Sequence, residues 1–67
     1  MPYIAGVDNR IQPMMERLEQ DEESLRQLWQ DVNCADGDEE RINLLDNELY
    51  EALYAVGEAI EHVRRVM

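Results

Sequence analysis

Apolar side chains recur at Ile42, Leu45, Leu49, Ala52, Val56, Ala59, Val63 and Val66, with spacings that alternate between three and four residues. That period lines one face of a helix. Leu53, Ile60 and Met67 fall one position beyond and widen the stripe to that of a core-facing helix. No proline interrupts it, so the pattern predicts a helix over about 39–66. With its flanking residues the stretch would reach about 45 Å at roughly 1.5 Å per residue.

A second amphipathic face runs through Ile11, Met14, Met15, Leu18, Leu25, Leu28, Trp29 and Val32, with Asp21 and Glu22 interrupting it. It predicts a helix over about 11–33, starting somewhere between Asp8 and Pro13. Asp8 or Asn9 can cap its free N–H groups, and Pro13 is tolerated in a first turn. Glu22 and Arg26 are spaced for an i,i+4 ion pair. Between the helices, CADGDEE (34–40) is turn chemistry. Asp36 or Asp38 caps the second helix there, and Asp36 with Glu39 has capping-box spacing. Acids at 38–40 and arginines at 64 and 65 suit the two poles of that helix.

Residues 1–10 hold Tyr3, Ile4 and Val7 around Pro2 and Gly6, which predicts an extended arm packed on another part of the molecule. The expected fold is therefore all-α: one domain over 1–67, an antiparallel helical hairpin with an irregular N-terminal arm. The two helices are expected to differ in length by about ten residues, or roughly 15 Å. Either the arm lies along the overhang or a second copy of the chain covers it. A core of this size is marginal without a disulfide, a metal or a partner. The expectation is a homo-oligomeric helical bundle, with Leu45, Leu49, Leu53, Val56, Ile60 and Val63 at the interface. Tyr50, Tyr54 and Gly57 lie outside the stripe and suggest a secondary face where a helix approaches closely.

Charge narrows the partners. Sixteen acids oppose six bases, all of them arginine, for a net charge of −10. Such a chain is repelled by nucleic acid and by anionic membranes. It suits a basic protein surface instead, with Asp36, Asp38, Glu39 and Glu40 as the candidate acidic contact. No basic region followed by an apolar run predicts a signal peptide, and no run of about eighteen apolar residues predicts a membrane span. The single cysteine, Cys34, fits a cytoplasmic setting and cannot form an internal bridge.

Catalytic chemistry is not expected. His62 has only Glu58 on its own face, too few ligands for a metal site. Cys34 precedes an acidic loop that disfavours its thiolate. ADGDEE lacks the alternating oxygen ligands and closing glutamate of a calcium loop. No nucleophile–base pair is visible, and no cofactor is expected. Trp29 reads as a core or interface anchor. Tyr3, Arg10, Arg64 and Arg65 have the chemistry to stack on and hydrogen-bond a nucleotide.

Two resemblances bear on function. The opening MPYIAGVDNRIQP resembles the start of a family of small bacteriophage proteins of unassigned function. The stretch NCADGDEERINLLDNELYEALYAVGEAIEH resembles the hairpin domain of phage anti-CBASS proteins, small all-helical oligomers that sequester cyclic oligonucleotide alarm signals. This chain departs from them in having GEA at 57–59, where that family tends to have Asn-Ala-Ala, and in having no lysine. No binding residue is carried over. The resemblance implies a non-enzymatic counter-defence protein that binds a nucleotide immune signal. The alternative is an acidic, anti-CRISPR-like inhibitor that occupies a basic nucleic-acid-binding surface of a host protein. A third class is an assembly protein with no ligand.

Overall fold

The computed structural model describes residues 2–67; the first residue of the arm lies outside them. Its elements are a 3-10 turn at Asp8–Arg10, helix α1 at Ile11–Asn33 and helix α2 at Glu39–Arg64. The two helices pack as an antiparallel hairpin, a rod of 53 × 14 × 13 Å. Its radius of gyration is 15.9 Å, against about 11 Å for a compact domain of this length.

On α1 the buried or half-buried residues are Ile11, Met15, Leu18, Glu22, Leu25, Trp29 and Val32. Their spacing alternates four and three without a break, the seam of a two-helix coiled pair. Glu22 therefore continues the seam and does not interrupt it. Met14 and Leu28, placed on the apolar face by sequence, stand half in solvent at 52% and 50% exposure. On α2 the stripe from Ile42 to Val63 meets α1, but the pair has open flanks. Among the described residues only Met15, Val32 and Ile60 are buried, and Leu45, Leu49, Leu53, Val56 and Val63 remain half-exposed.

Three local expectations change. The helices have 23 and 26 residues, so the overhang of about ten does not exist. The 3-10 turn prolongs α1 and brings the lengths level. The arm is not extended: the Val7 and Asp8 N–H groups donate to the Ile4 carbonyl at 3.1 and 2.9 Å, with Gly6 at φ +83° inside the turn. A positive φ is available to glycine without the Cβ penalty. Neither Asp8 nor Asn9 caps α1, whose N-cap position is Arg10 with no side-chain bond. The Asp8 carboxylate instead accepts from the Ile4 N–H at 2.6 Å and closes the arm turn on itself.

The second cap falls on Asp38. Its Oδ1 accepts from the N–H groups of Glu40 and Arg41 at 2.9 and 3.3 Å. With Asp38 at the cap, Arg41 takes the third helical position, and the Asp36–Glu39 box does not form. The expected Glu22–Arg26 pair is present at 3.3 Å, and Arg26 also reaches Glu23 at 2.9 Å. Among the described residues no helix is long and apolar enough to cross a membrane.

Candidate binding surface

Trp29 is the hinge between core and surface. It lies in the seam, half-buried, and its Nε1 donates to Asp46 Oδ1 on α2. The same oxygen accepts from Asn33 Nδ2 at 3.2 Å, and that amide also donates to the Trp29 carbonyl at 2.8 Å. A buried indole N–H seeks an acceptor, and Asp46, directly after Leu45 in the stripe, is placed to supply it. This polar staple fixes the turn end of the hairpin. The signal for it in the sequence was the lone tryptophan opposite an acid beside the stripe.

One helical turn along α2, the Tyr50 ring lies 6.1 Å from that of Trp29 at an interplanar angle of 53°, a tilted aromatic pair. Tyr54 follows, and a shallow groove is lined by Glu22, Arg26, Trp29, Tyr50, Leu53 and Tyr54. Both tyrosines are mostly exposed, at 57% and 64%. The secondary face is thus a groove shared with α1. Within the chain no backbone lies against Gly57: a Cβ there would meet only the Glu22 side chain, at 3.7 Å. Glu58 holds the Tyr54 hydroxyl above its ordinary titration range, first by hydrogen bonding and then by its charge.

Charge is segregated along the rod. Residues 18–57 contain twelve acids and two arginines, Arg26 and Arg41, and so hold the whole net charge of −10. The remaining segments, 1–17 and 58–67, balance Asp8, Glu16, Glu58 and Glu61 against Arg10, Arg17, Arg64 and Arg65. The antiparallel fold brings those two segments together at the arm end, where Pro2, Ile4, Val7, Asp8, Ile11, Arg65, Val66 and Met67 border one open groove. Asp36, Asp38, Glu39 and Glu40 stand exposed at the opposite end, around the interhelical turn.

The nucleotide candidates are gathered at the arm end but do not form one pocket. Tyr3 borders Ile11, Gln12, Val66 and Met67, whereas Arg10 lies beside Val7 and Met14. Arg65 faces the arm groove, and Arg64 is paired with Glu61 at 3.5 Å. The residues expected at an oligomer interface all lie along the α1-facing stripe. Ile60 is buried there and the other five are half-buried. Cys34 and His62 are exposed. Among the described residues no group of three or more His, Cys, Asp and Glu side chains is placed to hold a metal ion. Comparison with family models, with curated proteins and with solved structures finds no match.

Proposed function

We propose that the protein is a non-enzymatic binding protein, a cytoplasmic homo-oligomer of hairpins, that covers a basic protein surface with the acidic, aromatic middle of its rod. The observation that supports this most is the Trp29–Tyr50–Tyr54 strip set inside the segment that holds all the net charge. Aromatic side chains with polar tips are the residues that anchor interfaces. Guanidinium and ammonium groups are attracted both to aromatic faces and to carboxylates. Glu22 lines the groove, Asp46 accepts from Trp29, and Glu51 and Glu58 lie beside Tyr54 to supply those carboxylates. A partner surface that ordinarily holds nucleic acid has the matching charge.

A titration with an arginine-rich peptide, followed by Trp29 fluorescence, tests the proposal. Binding should weaken as salt rises and should fall when Tyr50 and Tyr54 are both changed to Ala, a change that leaves the net charge untouched. Unaltered affinity in that variant would reduce the interaction to nonspecific attraction and reject the aromatic site.

The second reading is sequestration of a cyclic nucleotide signal, supported by the gathering of Tyr3, Arg10, Arg64 and Arg65 at the one end of the rod that is not acidic overall. A ligand held there stabilises the fold by mass action. A panel of cyclic oligonucleotides that left the melting temperature unchanged would remove this reading. Both readings belong to the counter-defence class suggested by the phage-like opening and second half of the chain.

A further inference from the structure

The chain exposes 5506 Å², whereas a compact monomer of 7.9 kDa exposes about 4,400 Å² on the usual surface–mass scaling. The excess, roughly 1,100 Å², exceeds the approximately 800 Å² that each partner of a standard interface buries. Much of the apolar part of the surface is in one place. Among the described residues ten large hydrophobic side chains stand exposed, and Tyr3, Ile4, Val7, Met14, Val66 and Met67 of these belong to the arm end.

Charge decides what can cover them. A two-fold pairing of identical chains lays a patch on its own copy, so any net charge in the patch meets the same charge. Over residues 18–57, twelve acids against two arginines oppose such a pairing. At the arm end four acids balance four arginines. Arg10, Arg64 and Arg65 of one chain can face Asp8 and Glu61 of the other. A basic partner, by contrast, would find no net attraction there.

We infer that the arm end is the surface through which two copies of this chain pair, overlapping around Ile4, Val7, Met14 and Val66 and leaving the acidic lengths pointing apart. The inference rests on the homo-oligomeric part of the reading above and moves the contact from the α1-facing stripe to the arm. The pairing is apolar at its centre, so salt that screens repulsion between the acidic lengths strengthens it or leaves it unchanged.

Sedimentation equilibrium at micromolar concentration, with circular dichroism as the check on folding, tests it. The native chain should be a dimer. Val7→Asp and Met14→Asp, each at a position already half in solvent, should keep the helical spectrum and weaken dimerisation by about tenfold or more. Leu44→Asp, at an exposed site in the acidic length, should leave the dimer intact. A native monomer would reject both this interface and the homo-oligomeric reading. A dimer that survives the two arm variants would reject the arm interface alone, as would one that salt dissociates.

Discussion

The arm end and the acidic length of the hairpin differ in what holds them together and in what they offer a partner. Among the described residues the arm end contains two of the three buried side chains, Met15 and Ile60, and most of the exposed large hydrophobic residues, yet its charges cancel. The acidic length has only Val32 buried. Its half-buried seam is supplemented by polar groups: the Trp29–Asp46–Asn33 network between the helices and the Asp38 cap on α2. Apolar fastening tolerates an uncharged neighbour of the same kind. A polar, acidic surface studded with tyrosines favours a neighbour of opposite charge. The same two helices thus present two surfaces suited to different partners.

The largest effect is expected where the arm end is buried. Ile60→Asp places a charge without a partner in a site 5% exposed, a penalty of several kcal/mol. With so small a core the hairpin should lose its helical circular dichroism. Retention of the native spectrum would show that the arm half is not the apolar anchor. In the acidic length, Asp38→Ala removes the cap and should cost about 1 kcal/mol in thermal or urea unfolding. A change of similar size but opposite sign is expected for Gly57→Ala. The position is mid-helix, a Cβ meets nothing closer than 3.7 Å, and alanine favours a helix over glycine by about 1 kcal/mol. Destabilisation by this substitution would mean that another backbone occupies the groove beside Gly57.

Smaller still is the effect of Arg26→Ala. Its two ion pairs are surface pairs, each worth a few tenths of a kcal/mol, about 0.3–0.5 for i,i+4 geometry. A larger loss would show that the pairs brace the aromatic groove. The smallest signal is spectroscopic. Ultraviolet titration should find the Tyr54 hydroxyl ionising above 10.0, and Glu58→Gln should bring it down towards that value. Because the folded state holds this proton more tightly, the associated stabilisation is present below the unfolded-state pKa and is lost as pH rises through the folded one. An unchanged titration in the variant would break the assigned contact.

Much of the hairpin was legible in the sequence because local signals agreed. The two periodic stripes, the turn at 34–38, a cap at one of the aspartates before the second helix and the Glu22–Arg26 pair all follow from spacing and capping chemistry. The role of Glu22 was not legible. A search for apolar periodicity treats an acid as a break, whereas the packed seam runs through it, with the carboxylate bound to Arg26 at 3.3 Å beside Gly57. The arm turn was hidden for a related reason. Asp8 reads as a helix cap, but the Ile4 N–H four residues earlier competes for the same carboxylate and wins. The aromatic groove was half legible: Tyr50, Tyr54 and Gly57 shared a face, but that Trp29 and Glu22 complete it depends on how the two helices register. Tyr3, Arg10, Arg64 and Arg65 lie at one end because the helices are of similar length, which an expected overhang of α2 conceals.

On the function proposed above, the acidic length is a specific surface and not merely a solubilising one. The most direct measurement is the dissociation constant of the arginine-rich peptide, read from Trp29 fluorescence, for the native chain and for the variant with Tyr50 and Tyr54 both changed to Ala. A loss of affinity of about tenfold or more, at unchanged net charge and unchanged helix content, is the predicted result. Equal affinity for the two proteins would contradict it.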